Sequence, residues 1–294
     1  MLHPGERTTQ RRAGVITEDW GSAGVGATIP PVAAGFLAQQ RLVVIAATDE
    51  DGAAWVSPLI GPPGFVQAPD DATIVTDRLP VTGDPLAERF DAERNVGMIV
   101  LDPASRRRMR INGRAYRQGH GLVVRTEQVY SNCPKYIQTR TPSDELPSAA
   151  PTATVTGRLT ASQQQWIAAA DTFFIGTYAT GLGVDASHRG GNPGFVEVTG
   201  GARLTWPDYA GNSMYMTLGN LELEPRCGLL FLDWETGRSL YLTGRAWTDW
   251  DTGRAAAVPG AQRLVDFDVE RVLQLDGALP NRWSFGRYSR FNPG

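Results

Sequence analysis

Residues 185–198 read DASHRGGNPGFVEV, which sets Ser187, His188, Arg189, Gly190 and Gly191 side by side. An arginine fork holds two oxygens at once, a serine hydroxyl adds a donor, and glycine lets backbone N–H groups approach an anion closely. The combination is that of a phosphate cradle, and it is also that of a plain turn. His188 is the candidate proton donor, because an unperturbed imidazole titrates near pH 6.5; packing or simple hydrogen bonding is the competing role. Downstream, WPDYAGNSMYMTLGNLELEP (206–225) supplies Asp208, Asn212, Thr217 and Asn220. The two asparagines offer both donors and acceptors, as the edge of a heteroaromatic ring requires, and they also suit turns and a helix cap. Lys135 is the only lysine among 28 basic residues, and it lies beside Cys133 in VYSNCPKYIQTR (129–140).

The elements that must position these residues are written twice. VAAGFLAQQ (32–40) and then LVVIAA (42–47) correspond to QQQWIAAAD (163–171) and then FFIGTYA (173–179). WVSPLIGPPGFV (55–66) shares Pro-Gly-Phe-Val with the cradle segment at an offset of 130 residues. GMIVLD (97–102) matches GLLFLD (228–233), and INGRA (111–115) matches LTGRA (242–246), both at an offset of 131. Such register marks an internal duplication. In the first copy the positions of His188, Arg189 and Gly190 hold Pro58, Leu59 and Ile60, so only the second copy keeps the polar version.

Short β-branched and aromatic runs separated by turn signals make each copy mainly strand, with one or two helices, and predict a small closed barrel per copy. In RMRINGRA, Met109 and Ile111 alternate with Arg108, Arg110 and Asn112, the period of a half-buried strand. The expected organisation is a loosely structured N-terminal arm (1–30) over the first barrel, a first copy (31–140) and a linker rich in Pro, Ser, Thr and Ala (141–157). The second copy (158–294) follows. The Arg106–Arg108 run sits beside a hairpin turn and reads as a solvent-facing cluster.

The motifs S-x-R-G…PGFV, PD-x-x-GN…T-x-x-N, GLLFLD and GRA, spanning residues 32–294, resemble the pyridoxamine 5′-phosphate oxidase-like family, the FMN-binding split barrels. The resemblance implies two tandem split barrels paired as a pseudo-dimer within one chain, with FMN between them. Ser187, Arg189 and Gly190 would hold the phosphate and ribityl side. Asp208, Tyr209, Asn212, Thr217 and Asn220 would line the flavin, and Lys135 would reach across from the first copy. SMYMT carries no basic residue where the oxidase proper has further phosphate ligands, which argues against pyridoxamine phosphate as the substrate. The implied activity is an FMN-dependent oxidoreduction of a small organic molecule, with NAD(P)H as a possible donor. The alternatives are a non-catalytic flavin- or haem-binding barrel, or an enzyme of specialised metabolism reusing the pocket. The tail residues Trp283, Arg287 and Tyr288 would either cover the site or pin the tail to a barrel surface.

Composition narrows the classes. A net charge of −3 and 41% hydrophobic residues describe a globular chain with no reason to bind nucleic acid or an anionic membrane. Two distant cysteines and three scattered histidines offer neither a disulfide framework nor metal-ligand spacing. No signal peptide or apolar span is visible, so a cytoplasmic protein, a monomeric pseudo-dimer or a homodimer of it, is expected.

Overall fold

The computed structural model describes residues 2–15, 25–145 and 150–294. Part of the arm (16–24) and part of the linker (146–149) lie outside the described residues. In chain order the elements are α1 (Pro4–Arg12), α2 (Pro31–Ala38), β1 (Leu42–Thr48), β2 (Ala54–Ile60), β3 (Val66–Gln67), β4 (Thr73–Thr76), β5 (Arg94–Asp102), β6 (Arg107–Gln118) and β7 (Gly121–Ser131). They continue with β8 (Arg140–Glu145), β9 (Thr152–Thr156), α3 (Ala161–Ala169), β10 (Thr172–Ala179), β11 (Gly183–Gly190), β12 (Glu197–Thr199), β13 (Arg203–Tyr209) and α4 (Met216–Leu223). The last are β14 (Arg226–Leu232), β15 (Ser239–Asp249), α5 (Thr252–Ala256), β16 (Ala261–Asp276) and β17 (Asn281–Phe285).

The duplication is visible in the topology. One sheet runs β2-β1-β5-β6-β7-β4-β3, and the other runs β11-β10-β14-β15-β16-β13-β12, the same order strand for strand. The protein is thus mainly β, two tandem split barrels with short helices. The shared Pro-Gly-Phe-Val phrase has a shared job. The N–H of Gly64 bonds the carbonyl of Ala38 at the end of α2, and the N–H of Gly194 bonds Ala168 in α3, each at 2.8 Å. Each bond satisfies a helix-end carbonyl and ties the helix to the strand that follows.

The two barrels pack back to back through β1, β2 and β5 of one and β10, β11 and β14 of the other. Apolar packing continues across this seam, with Phe174, Ala186 and Leu230 of the second copy joined to the core of the first. The matched glycines of GMIVLD and GLLFLD mark places where the two sheets approach closely. A Cβ on Gly97 would stand 2.5 Å from the amide nitrogen of Ala186, and one on Gly228 would stand 2.4 Å from the carbonyl oxygen of Ala54. Backbone cannot yield as a side-chain tip can. Gly97→Ala is therefore expected to cost about 1–3 kcal/mol of unfolding free energy in urea titration. An unchanged midpoint would show that the seam is looser than this.

Two segments differ from their sequence expectation. The linker region contributes strands: β8 pairs with β17, and β9 pairs with the long β16 of the second sheet. Small polar residues suit an edge strand as well as a loop, and the partners lie more than 100 residues away. In the arm, residues 26–29 do lie on the first barrel, through Gly26 to Val129 and Ile29 to Asp71. Its beginning is instead the helix α1, closed by a His3–Glu6 capping box and packed on α4 of the second copy.

Candidate functional site

β11 carries the cradle residues. The segment read as a loop is the end of a strand fully paired with β10, where Ser187 faces Ile175 and Arg189 faces Phe173. Strand alternation puts Ser187 and Arg189 on one face and His188 on the other. The Arg189 guanidinium donates to the Ser187 hydroxyl at 3.0 Å and to its neighbour's carbonyl at 3.1 Å, which fixes its direction. The glycines do not form an anion nest. The Gly191 N–H is already bonded to the Asp171 carbonyl at 3.1 Å. Gly190 makes room for the first copy instead, since a Cβ there would meet the Tyr136 carbonyl oxygen at 2.1 Å.

An open cleft of ≈ 890 Å³, counted together with the solvent at its mouth, lies along this strand between the copies. Ser187, His188, Arg189, Gly190, Asp208, Tyr209, Asn212 and Thr217 of the second copy line it, together with Lys135 of the first. Eight candidates from one copy and the crossing lysine therefore share one cavity. Asn220 does not join them: it is buried, gives its amide to Thr177 at 3.0 Å, and borders a neighbouring cavity. Asn212 spends its Oδ1 on the Met214 N–H at 3.3 Å, so part of its role is turn chemistry.

The sequence reading missed the opposite wall. Arg108 and Arg110 project from β6 of the first copy into the cleft, beside Asn132 and Tyr136 from the loop after β7. The face of β6 opposite Met109 and Ile111 is the seam, not solvent. Arg108 lies inside, while Arg107 is exposed and Arg106 is tied to the carbonyls of Ile137 and Tyr288 at 2.9 and 3.1 Å. The alternation gave the face; nothing local in sequence says what covers it. Tyr136 packs against Tyr209 with ring centroids 5.1 Å apart and planes tilted by 35°, and donates to the Ala210 carbonyl at 3.0 Å, joining the two walls.

The backbone around the cleft is strained. The described non-glycine residues with positive φ are Arg106, Tyr136, Ser213 and Tyr215; the last three line the cleft and Arg106 borders its mouth. Left-handed backbone at non-glycine residues costs on the order of 1–3 kcal/mol each and collects at ligand sites.

The electrostatics are one-sided. Arg110 pairs with buried Asp185, which also accepts from the Tyr130 hydroxyl at 2.9 Å. Asp208 faces Arg263 at 3.2 Å, and burial raises its pKa against the pull of Arg189 and Arg263. Arg108, Arg189 and Lys135 have no carboxylate partner among the described residues. Burial, with Arg110 and Arg189 nearby, pushes Arg108 down to about 9, which still leaves it charged at neutral pH. His188 is held well below its usual value by burial and then by the neighbouring Arg108 and Arg189. It is neutral, and its Nδ1 accepts from Arg108 at 3.0 Å, which puts the proton on Nε2. Arg108 Nε, His188 Nε2 and Asn132 Oδ1 are buried with no hydrogen-bond partner among the described residues. Arg108 and Arg189 thus bring two charges without a bonded carboxylate into a largely desolvated place, with the half-exposed Lys135 beside them. Unpaired buried charge costs several kcal/mol, so the cleft is built for an anion.

The related position on the other side of the seam is filled. Ser57, the counterpart of Ser187, donates to Asp84, whose other oxygen accepts from Tyr241, the counterpart of Arg110, at 2.8 Å. Leu59 is buried where Arg189 stands in the second copy, and the loop carrying Asp84 also buries Leu86 and Phe90. The tail residues Trp283, Arg287 and Tyr288 do not line the cleft. Trp283 is buried edge-on to Trp234, Arg287 bonds Thr139 through its backbone, and Tyr288 packs at a tilt against Phe285.

No protein-family model matches the chain, and no curated protein matches it. Among solved structures, it is similar to an FMN-binding protein from Syntrophomonas wolfei (12% identity, 38% of this chain and 81% of that one, TM-score 0.29). It is also similar to an FAD-binding protein from Mesorhizobium loti (12% identity, 42% and 97%, TM-score 0.30). A third is HupZ of Group A Streptococcus (11% identity, 39% and 92%, TM-score 0.33). Among the described residues no helix is long and apolar enough to cross a membrane, and no group of side chains has metal-binding geometry.

Proposed function

We propose that the chain is an FMN-dependent oxidoreductase of the pyridoxamine 5′-phosphate oxidase-like type, with one FMN per chain in the cleft between the copies. The observation that carries this reading is the half-buried positive charge of Arg108 and Arg189, neither bonded to a carboxylate, with Ser187 and Lys135 alongside, in a cleft otherwise walled by Tyr136, Tyr209 and Met214. The phosphate would take the cationic end, bonded by the Arg189 and Arg108 forks and the Ser187 hydroxyl. The tricyclic ring would lie along the aromatic and methionine walls, its polar edge toward Asn132 Oδ1 and the Asn212 amide N–H groups, unpartnered among the described residues. When bound, the flavin itself supplies hydride and electron transfer.

The protein's own part is to bind, orient and exclude water. His188 belongs to this part: a neutral imidazole accepting from Arg108 aims that guanidinium into the cleft and cannot act as a cationic acid near neutral pH. The same observation favours a second reading, a flavin carrier with no proton donor of its own.

The purified protein is expected to show flavin absorbance bands, or to acquire them with about one equivalent of FMN. A colourless chain that ignores micromolar FMN would sink the cofactor assignment. Anaerobic NADPH or NADH should then bleach the bound flavin; persistence of the oxidised spectrum with both would favour the carrier.

A further inference from the structure

The mouth of the cleft is more basic than a flavin phosphate requires. A groove of ≈ 670 Å³ between α2 and β6 adjoins the cleft through Arg108 and Asn132, and Arg106 and Arg107 line it over the rings and chains of Phe36 and Met109. From the other side the tail brings up Arg287 and Arg290; burial first, and then their like charge, lowers the Arg106 pKa. Phe291 links this group to the cleft, with Lys135 over its ring at 5.7 Å and Arg290 at 4.9 Å. Arg107 is held over Phe36 in the same way, at 4.8 Å.

None of these cations has a carboxylate partner among the described residues. Many arginines elsewhere are matched, among them Arg140, Arg203, Arg226 and Arg238, each of which holds a carboxylate oxygen at 2.7–2.8 Å, whereas Arg106, Arg107, Arg287 and Arg290 lie unmatched close together. In a chain of net charge −3, a concentration of unmatched arginine at one opening is a feature of that opening. Guanidinium groups fixed over phenyl rings offer two things together: forks for phosphate oxygens and flat cationic faces for a purine.

We propose that this mouth is a second subsite, which takes the nucleoside diphosphate half of a dinucleotide, with its phosphates on Arg107 and Arg290 and its base against their stacked planes. The subsite stands on the arginines alone; its link to a dinucleotide rests on the flavin reading. Two sources share the chemistry, the cofactor's own tail (FAD) and a reductant (NADPH).

The test uses the full chain without added flavin, titrated calorimetrically with ADP and with adenosine. ADP is expected to bind at least about tenfold more tightly than adenosine and to weaken with salt. Arg107→Glu and Arg290→Glu, both at exposed positions, should each cut ADP affinity at least about tenfold while leaving FMN affinity within about twofold. Equal binding of ADP and adenosine, or ADP binding indifferent to both charge reversals, would overturn the proposal whether or not FMN binds. FAD binding tighter than FMN, with the gap erased by Arg290→Glu, assigns the subsite to the cofactor. Equal FAD and FMN affinities, with NADPH binding to the FMN-loaded chain and lost in Arg290→Glu, assign it to the donor. If neither dinucleotide shows such an Arg290-dependent advantage, the dinucleotide assignment fails.

Discussion

Arg189→Ala should weaken FMN binding by about 1.5–3 kcal/mol, roughly ten- to a hundredfold, and at the same time raise the melting temperature of the unliganded protein. The opposite signs follow from one fact. Arg189 is half-buried and has no carboxylate bonded to it, and burial lowers its pKa against the pull of Asp208 and Asp185, with Arg110 adding like charge. Its charge costs free energy in the empty cleft, where Asp208 and Asp185 offset only part of the desolvation, and the rest is repaid when an anion arrives. An arginine with a purely structural role would lower both quantities together. Leu59→Ala is the matched control, because Leu59 occupies the same strand position in the first copy and is fully buried. It should lose about 2–5 kcal/mol of stability through the cavity left behind and leave FMN affinity nearly unchanged. Fluorescence titration of FMN and thermal melts of both variants decide the matter. Equal losses of FMN affinity would contradict the asymmetry between the copies.

Asp84→Asn should stabilise the protein at neutral pH and do little in acid. Asp84 is fully buried and faces no cation; its oxygens accept from Ser57, from the Leu86 N–H at 2.8 Å and from Tyr241. Burial outweighs those bonds and lifts its pKa from 3.8 to about 6. The folded protein therefore holds the proton where the unfolded chain has lost it. The associated stability is fully present below about pH 4 and is lost as pH rises through about 6. A shift of that size corresponds to roughly 2–3 kcal/mol above pH 7. An asparagine can accept from Ser57 and Leu86 through its oxygen and donate to Tyr241. The difference in urea-unfolding free energy, variant minus wild type, should grow from near zero at about pH 4 to its full size at about pH 7. A difference that stays flat over this range would mean that Asp84 is not a buried, unpaired acid.

These two residues show what local sequence can and cannot convey. Register carried far: the offsets near 130 named the paired strands, and the contrast of Arg189 with Leu59 located the open side of the seam. Alternation along β6 correctly turned Met109 and Ile111 inward. It could not say that Arg108 and Arg110 would meet Asp185 and His188, some 75–80 positions later, instead of water. The same limit hid β8 and β9 in a segment whose composition suited a linker, and hid the helix α1, packed on the second copy, in a segment expected as a loose arm over the first. The cradle glycines misled for another reason. Glycine beside arginine fits an anion nest, yet Gly190 answers to a carbonyl of the other copy, which no neighbouring residue announces.

That the cleft takes one wall from each barrel of a single chain has a consequence for dilution. A site shared between separate subunits comes apart when protein concentration falls below the subunit dissociation constant, and its apparent affinity for ligand falls with it. Here Arg108 and Arg189 meet by an intramolecular event, set by the effective concentration that the connecting strands impose. Ligand affinity should therefore be the same at nanomolar as at micromolar protein, and the chain can work at whatever low abundance the cell maintains.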